Sequence, residues 1–275
     1  MRLIRKIDEL RVCLASERAI AFVPTMGNLH EGHLDLARQA RNYGDCVVVS
    51  IFVNPLQFGP AEDFDDYPRT LDADCASLQG LADIVFAPSI NEMYPVQQSV
   101  YVDPPPIANE LCGAARPGHF RGMATVVLKL FNIVNPAVAL FGKKDYQQLH
   151  IIRQMASQLS LPVRVIGCET VRAPDGLALS SRNQYLSGTE RSEAVFLQQL
   201  LQDMRHSLLR GERDFERLQS RAVEALVGRG WRVDYVMVRN QSDLQPASQP
   251  EIVVLAAAKL GKTRLLDNVE VFLSA

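Results

Sequence analysis

The sequence has no excess of charge of either sign. Its 275 residues include 29 Lys and Arg against 31 Asp and Glu, which gives a formal net charge of −2 at pH 7. Proteins that bind nucleic acid usually carry a basic surface, and peripheral membrane proteins usually carry a basic tract. We therefore expect a protein with no nucleic-acid partner and no membrane partner.

Cysteine is scarce and irregularly placed. The five cysteines are odd in number, and none lies in a C-x-x-C pair. This pattern argues against a disulfide framework and against a thiolate zinc site. The cysteines are predicted to be small buried hydrophobic side chains.

Long apolar runs are also missing. No stretch approaches the roughly 20 apolar residues that a membrane-spanning helix needs. The first residues, MRLIRKIDELRVCL, are charged and amphipathic, unlike a signal peptide. We therefore expect a cytoplasmic location. A hydrophobic share of 47% is enough for a substantial core, arranged as one large or two moderate domains.

Apolar runs alternate with helical patterns over the first 170 residues or so. Several of the runs are continuously apolar, as in strands that are buried on both faces. The predicted fold is α/β, with a Rossmann-like doubly wound parallel sheet that binds ligands at the carboxyl ends of its strands. The strands are predicted at 19–23, 46–53, 83–87, 137–141 and 162–166, and the helices at 33–43, 70–81, 120–134 and 145–159.

The remainder of the chain has a different pattern. A segment rich in small and polar residues is followed by two helical patterns, 189–210 and 213–228. Strand patterns near 232–238, 251–257 and 263–272 then suggest an antiparallel sheet. The predicted domains are a Rossmann-like domain over 1–172, a hinge or lid loop over 173–188, and a smaller α+β domain over 189–275.

The run PTMGNLHEGH follows the first predicted core strand and begins a helical pattern. His30 and His33 are three residues apart, so at a helix start they share one face. Helix N-termini favour anions, and Gly27 and Gly32 let the backbone approach a ligand. The motif predicts phosphate binding. A histidine with a core or surface role and a zinc pair are alternatives, although the spacing is not H-E-x-x-H and no third ligand stands out.

Two further motifs follow predicted strands. In SIFVNPLQF, Gln57 offers an amide that can orient a hydroxyl or carboxylate, with a solvated loop glutamine as the alternative. In FGKKDYQQ, Gly142 is predicted to open a helix whose first turn carries Lys143, Lys144 and Asp145. Cations there oppose the helix dipole, which favours a bound anion over a solvated lysine pair.

The segment LSSRN lies in the predicted lid loop. Ser180, Ser181 and Arg182 suit closure over a triphosphate, although SSR alone is a weak motif that is usually only a polar loop. The acidic stretch 63–74 could attract a divalent cation or could form an acidic helix start. The stretch RPGHFRG is predicted to be a second anion-facing loop around Arg116, His119 and Arg121.

Taken in order, these motifs resemble the pantoate–β-alanine ligase family over nearly the whole chain. The similar segments are PTMGNLHEGH, SIFVNPLQF, YPRTLDAD, RPGHFRG, FGKKDYQQL, LSSRNQYLS and, in the second domain, DYV and LAAAKLGKTRLLDN. The HEGH tetrapeptide is also similar to the HIGH motif of class I aminoacyl-tRNA synthetases, and LSSR to their KMSKS loop. The ordered set is far more specific than any one motif.

The resemblance implies an ATP-dependent reaction in two halves. Pantoate would attack the α-phosphate of Mg-ATP to give pantoyl adenylate and pyrophosphate, and β-alanine would then displace AMP to give pantothenate. The chain contains no nucleophile elbow that would suggest an acyl-enzyme instead. The resemblance also implies a homodimer, with Mg²⁺ arriving on ATP. The first domain would bind nucleotide and pantoate.

The resemblance further implies roles for individual residues. His33, His30, Lys144 and Arg182 would be catalytic, Gln57 and Gln148 would bind pantoate, and Gln57 would also lie near β-alanine. The residues implied to bind ATP are Met26, Gly27, His30, Gly32, His33, Gly142, Lys143, Lys144, Asp145, Val171, Leu179, Ser180, Ser181 and Arg182. The family commonly has glutamate at position 143 and methionine at position 179.

Three other functions are considered. A nucleotidylyltransferase with the same HxGH corner would stop at a stable adenylylated product. A non-catalytic nucleotide sensor would bind ATP without releasing pyrophosphate. A tRNA-linked synthetase is disfavoured because the chain is acidic overall and its second domain is short.

Overall fold

The chain divides into two compact units. The computed structural model describes residues 1–60, 62 and 64–273. The first unit comprises Met1–Lys143 and Gln148–Glu169, and the second comprises Lys144–Gln147 and the chain from Thr170 onward. The predicted boundary at 172 and the predicted hinge over 173–188 stay predictions.

The first unit is built on a six-stranded parallel sheet, which confirms the predicted Rossmann-like α/β class. Its spatial order is β1-β4-β3-β2-β5-β6. The chain order reverses between β2 and β5, and ligands bind beyond the carboxyl ends of strands at such a reversal. The strands are β1 (Arg2–Ile4), β2 (Ile20–Thr25), β3 (Cys46–Ile51), β4 (Ile84–Phe86), β5 (Val138–Gly142) and β6 (Arg164–Cys168).

Helices cover both faces of this sheet. Alternate side chains of β2 point to opposite faces, so Ala21 and Val23 pack with α2, while Phe22 meets Phe131 of α6 edge-to-face at 6.4 Å. Because both faces are covered, the strands contain continuous apolar runs. The helices are α1 (Ile7–Leu14), α2 (Glu31–Ala40), α3 (Leu71–Ser77), α4 (Ile90–Met93), α5 (Cys112–Ala115), α6 (His119–Val134) and α7 (Tyr146–Gln158).

The second unit is α+β, as predicted. Its three antiparallel strands are arranged β7-β8-β9. One face of β8 presents Ile252, Val254 and Ala256 to a core that includes Leu201 and Leu226 from two helices. The elements are α8 (Gly188–Glu193), α9 (Val195–Leu209), α10 (Phe215–Gly228), β7 (Arg232–Asn240), β8 (Glu251–Leu260) and β9 (Thr263–Phe272).

Some element boundaries differ from the sequence prediction. The helix predicted over 189–210 is two helices: α8, which a capping box of Ser187 and Glu190 starts, and α9, which begins at Val195. Strand β6 begins at Arg164 rather than 162 because Pro162 has no N–H for the ladder. Strand β1 and helix α1 are absent from the prediction.

The cysteines follow the predicted pattern in part. Cys46, Cys112 and Cys168 are buried, whereas Cys13 and Cys75 are only partly buried. Burial raises the pKa of the Cys46 and Cys168 thiols to about 11, so both stay protonated and unreactive at neutral pH. Among residues 1–60, 62 and 64–273, no helix has the length and apolar character needed to cross a membrane.

The close approach of α6 to the turn after β3 depends on Gly122. A Cβ at this position would overlap the Leu56 carbonyl and lie 2.7 Å from the Gln57 amide nitrogen. We therefore expect Gly122→Ala to lower the free energy of unfolding by about 1–3 kcal/mol through overpacking. The measurement is urea unfolding followed by circular dichroism. Gly228→Ala in α10 is the matched control, since a Cβ there meets nothing within 4 Å. Equal stability of the two variants would contradict this account of the packing.

Candidate active site

The loop between β2 and α2 directs its backbone amides toward acceptors within the protein. The Gly27 amide donates to Thr25 Oγ1 at 3.2 Å, and the Asn28 and Leu29 amides donate to the Asp74 carboxylate at 3.0 and 2.8 Å. Gly27 has a φ of +81°, and a Cβ there would lie 3.0 Å from Asp74 Oδ2. Glycine is therefore required by the turn itself.

His30 and His33 cap α2 reciprocally. His30 is the N-cap residue, and its Nδ1 accepts from the Gly32 amide at 3.2 Å. His33 Nδ1 accepts from the His30 amide at 3.3 Å, and the two ring centroids are 4.0 Å apart. Because each Nδ1 is an acceptor, each neutral ring carries its proton on Nε2. The helix begins at Glu31, two residues earlier than predicted.

This geometry corrects the predicted means of anion binding. The sequence predicts anion binding by the helix N-terminus and the backbone at Gly27 and Gly32, but the amides from Gly27 to His30 and that of Gly32 already donate within the protein. The groups with the right chemistry for an anion at this corner are the two imidazole Nε2–H donors.

Gln57 lies in a network of neutral hydrogen bonds. Its amide Nε2 donates to Met26 Sδ at 3.1 Å, so the structure brings these two predicted site residues together. Its Oε1 accepts from Asn54 Nδ2 at 3.1 Å, and Asn54 Oδ1 accepts from the Tyr94 hydroxyl at 2.7 Å. Burial raises the pKa of Tyr94, which keeps its phenol protonated as the donor. Gln57 is 7% exposed rather than a solvated loop side chain.

The loop around Arg116 supports this network instead of facing an anion. Arg116 donates to both carboxylate oxygens of Glu62 at 2.6 and 2.7 Å and to His119 Nε2 at 3.0 Å. His119 Nδ1 in turn donates to the Gln57 carbonyl at 2.8 Å. Burial opposes ionisation of Glu62, but the Arg116 hydrogen bonds and charge outweigh it and lower the pKa of Glu62.

The prediction of a second anion-facing loop is therefore wrong for Arg116 and His119. Arg121, its other cation, also has an acidic partner, since its Nε lies 2.8 Å from Asp103 Oδ1. For the acidic stretch 63–74, the sequence left a cation site and an acidic helix start open. Asp72 and Asp74 lie in the first turn of α3, as the second interpretation expects, and Asp74 binds the β2–α2 loop. Asp63, the first residue of that stretch, lies outside the described residues.

The segment after β5 begins differently from the prediction. Gly142 ends β5, Lys143 to Asp145 form a 3₁₀ turn, and the α-helix starts only at Tyr146. Lys143 Nζ pairs with Glu169 Oε1 at 2.6 Å, which gives this lysine a local reason to lie near a helix start. Gln148 follows, half-buried in the first turn of α7.

In the second unit, Lys144 and Asp145 are adjacent on the 3₁₀ turn. Lys144 Nζ lies 3.9 Å from Asp145 Oδ1, and the lysine side chain is largely shielded. The Lys144 carbonyl accepts from Asn268 Nδ2 at 3.0 Å. The turn is thereby attached to strand β9 of the same unit.

Two predicted nucleotide-binding residues, Val171 and Leu179, meet directly before the segment Ser180–Arg182. The Leu179 amide donates to the Val171 carbonyl at 3.0 Å, and residues 172 and 178 form a β-bridge. Ser180 then caps a 3₁₀ turn over Ser181–Tyr185, with its Oγ accepting from the Arg182 amide at 3.3 Å. The predicted loop thus has a hairpin and a capped turn, and its role as a lid stays a prediction.

Three polar residues of the site, two of them buried, were not predicted. Asp74 is 2% exposed and Asn54 is 1% exposed, and Tyr94 donates to Asn54 across 40 positions of sequence. The available signal was the polar Asn54 at the end of an otherwise apolar strand pattern. Within the part of the chain that the structure describes, no three His, Cys, Asp or Glu side chains form a candidate metal group.

The fold and these motifs define a class of protein. It is a Rossmann-like α/β protein in which two histidines cap a helix beside the point where the strand order reverses. The family model for pantoate–β-alanine ligase matches residues 2–270. The chain belongs to the pantoate–β-alanine ligase family, whose members are ATP-dependent enzymes that join pantoate to β-alanine.

Individual relatives agree with this assignment. Pantothenate synthetase of Nitrosospira multiformis is 56% identical over 275 residues, with 98% of each chain covered. The crystal structure of pantothenate synthetase from Thermus thermophilus has a TM-score of 0.94 at 44% identity, covering 99% of this chain and 100% of that one. The Francisella tularensis ligase, solved with beta-gamma ATP and β-alanine, has a TM-score of 0.81 at 36% identity, covering 98% and 97%.

The carboxylate of Asp74 is expected to be required for the shape of the β2–α2 loop. In Asp74→Asn an amide nitrogen replaces one acceptor, so one backbone donor loses its partner at a cost of about 1–3 kcal/mol. We expect a lower unfolding midpoint and slower turnover. Thermal unfolding and steady-state kinetics measure both. The exposed neighbour Asp72→Asn serves as the control, and identical behaviour of the two variants would refute the role of Asp74.

Proposed function

We propose that this ligase joins pantoate and β-alanine through a pantoyl-adenylate intermediate. In the first half, a pantoate carboxylate oxygen bonds to the α-phosphorus of ATP, and the bond from that phosphorus to the β-phosphate bridging oxygen breaks. Pyrophosphate leaves with the electron pair. In the second half, the β-alanine amine bonds to the acyl carbon, loses a proton, and AMP leaves with the shared oxygen.

The reciprocal capping of His30 and His33 is the observation that carries this proposal. Each Nδ1 accepts from a backbone amide, at 3.2 and 3.3 Å, which orients both rings and makes Nε2 the donor. Adenylyl transfer needs charge stabilisation and in-line positioning more than covalent help. Two oriented Nε2–H donors supply hydrogen bonds to phosphate oxygens as negative charge moves to pyrophosphate.

The pantoate site is proposed at Gln57 and Gln148. Gln57 is held by Asn54 and Met26, so its amide has a fixed orientation and adds no charge. Neutral groups can orient a carboxylate without the tight ion pair that an arginine would form with it. Gln57 is also proposed to lie near the incoming β-alanine.

The remaining nucleotide contacts are proposed from the family resemblance. Lys144, Ser180, Ser181 and Arg182 would bind phosphates, and Asp145 would organise the lysine. Met26, Gly27, Gly32, Gly142, Lys143, Val171 and Leu179 would line the nucleotide site, with Val171 near the adenine. The serine side chains and guanidinium donate hydrogen bonds that suit phosphate oxygens.

Several wider features are part of the same proposal. Mg²⁺ would arrive with ATP and keep phosphate and water ligands, a mode that needs few protein carboxylates. The active form would be a homodimer in the cytoplasm. The first domain would span 1–172, and residues 173–188 would act as a hinge or lid between it and the domain over 189–275.

Product analysis tests the proposed function against its nearest alternatives. ATP is incubated with pantoate and β-alanine, separately and together. Pyrophosphate release with pantoate, and sustained AMP plus pantothenate only with both, are the expected results. A stable adenylylated product would favour another nucleotidylyltransferase activity, and binding without turnover would favour a nucleotide sensor.

Removal of the His33 donor should slow adenylation strongly. In His33→Asn, Oδ1 stands in for the imidazole Nδ1 and keeps the cap on the His30 amide, while the Nε2–H is lost. We expect pantoate-dependent ATP–pyrophosphate exchange to fall by about 10²–10⁴-fold, as for other acid–base or electrostatic groups. His33→Ala should fall at least as far.

The controls separate chemistry from folding. His206→Ala changes an exposed histidine of α9 and should leave the exchange rate unchanged. Circular dichroism should show equal unfolding midpoints for His33→Asn and the wild type. An exchange rate for His33→Asn near that of the wild type would refute the assigned role.

Arg182 is expected to act on the nucleotide and not on pantoate. Arg182→Ala should slow adenylation while pantoate binding, measured by calorimetry, stays almost intact, because its guanidinium is proposed to bind phosphate. Arg210→Ala, an exposed arginine after α9, is the matched control. A large loss of pantoate affinity with unchanged nucleotide chemistry would contradict the assignment.

A further inference from the structure

Two adjacent residues of β9 each bind a segment that carries proposed phosphate-binding side chains. We propose that Asp267 and Asn268 are positioning residues for ATP. Asp267 fixes the hairpin that leads into Ser180–Arg182, and Asn268 fixes the turn that carries Lys144. The inference rests on the proposed function, because it takes the ATP phosphates as the ligand of both segments.

Asp267 is a buried carboxylate that accepts three hydrogen bonds. Its side chain is 3% exposed and accepts from Arg172 Nη1 and Nη2 at 2.6 and 2.9 Å. Its Oδ1 also accepts from the Asn268 amide at 2.8 Å. Two parallel hydrogen bonds fix the plane of a guanidinium as well as its position.

Arg172 passes this constraint to the hairpin. Its Nη1 also donates to the Gly176 carbonyl at 3.1 Å, and its backbone bridges to Ala178. The next pairing, Leu179 amide to Val171 carbonyl at 3.0 Å, closes the hairpin directly before Ser180. The bond from Arg172 to Asp267 of β9 thus fixes where the 3₁₀ turn after Ser180 begins.

Asn268 fixes the other segment. Its Nδ2 donates to the Lys144 carbonyl at 3.0 Å. Two residues further along β9, Glu270 Oε1 accepts from the Tyr146 hydroxyl at 2.8 Å. Side chains two apart on a strand share a face, so one face of β9 holds residues 144–146 at two points.

Stability alone does not explain this arrangement. Leu265 and Val271 share the Asp267 face of β9 and belong to the apolar core of the second unit. A buried ion pair in such surroundings is weak support for stability, since a well-packed apolar pair is often at least as stable. What Asp267 and Arg172 add over an apolar pair is fixed geometry in the segment beside the phosphate-binding residues.

The test measures KM values in pantoate-dependent ATP–pyrophosphate exchange. Arg172→Lys keeps the positive charge but loses the paired Nη1 and Nη2 hydrogen bonds to Asp267. Asn268→Ala removes the donor to the Lys144 carbonyl. We expect each to raise the KM for ATP about 10–100-fold while the KM for pantoate stays near the wild-type value. A merely structural role would not separate the two KM values.

The matched control is a second ion pair of the same sheet. Arg264 Nε lies 2.7 Å from Asp234 Oδ2, and their side chains are 16% and 17% exposed. Asp234→Asn removes this pair, which joins β7 to β9 and lies outside the segments 144–146 and 171–182. It should leave both KM values unchanged.

A double variant keeps the test decisive if single variants unfold. Arg172→Met with Asp267→Leu replaces the pair by apolar side chains and should fold, yet retain the raised KM for ATP. Wild-type KM for ATP in this variant, or in both Arg172→Lys and Asn268→Ala, would overturn the inference. Absence of pantoate-dependent exchange in the wild-type enzyme would instead refute the proposed function.

Discussion

The site depends most on the hydrogen bonds that the Asn28 and Leu29 amides donate to the Asp74 carboxylate. These two bonds, at 3.0 and 2.8 Å, fix a loop that has just left the central strand β2. With the loop fixed, His30 becomes the N-cap of α2, and the cap in turn orients both imidazoles. The histidines thus owe their geometry to a carboxylate 41 or more positions away in sequence.

The two proposed substrate sites are stabilised by different interactions, namely neutral hydrogen bonds around Gln57 and an ion pair near the phosphate-binding segments. Around Gln57 the hydrogen bonds from Asn54 to Gln57 and from Tyr94 to Asn54 are neutral. The charged pair of Arg116 and Glu62 is linked to the Gln57 carbonyl through His119. Around the proposed phosphate segments of the second unit, the support is the ion pair between half-buried Arg172 and buried Asp267. Neutral dipoles leave the carboxylate of a substrate nucleophilic, whereas rigid placement of donors favours adenylyl transfer.

Most of the fold was predictable because its strands are buried on both faces and contain continuous apolar runs. The short β1 escaped prediction because three residues carry no periodicity, and the helix split before Val195 escaped because Ala194, between α8 and α9, forms no side-chain cap that the sequence would show. The histidine pair was predictable from local spacing. Asp74 and Tyr94 were not, since their partners lie far away in sequence.

The same limit explains the errors at Arg116 and at the amides of the β2–α2 loop. A sequence pattern shows that a donor is present, but only the folded chain shows whether a carboxylate already accepts from it.

The central claim, attack of the pantoate carboxylate on the α-phosphate, is tested most directly with pantoate labelled in its carboxylate with oxygen-18. The account predicts label from that carboxylate in the AMP released with pantothenate. Unlabelled AMP, or label in inorganic phosphate with ADP, would contradict it.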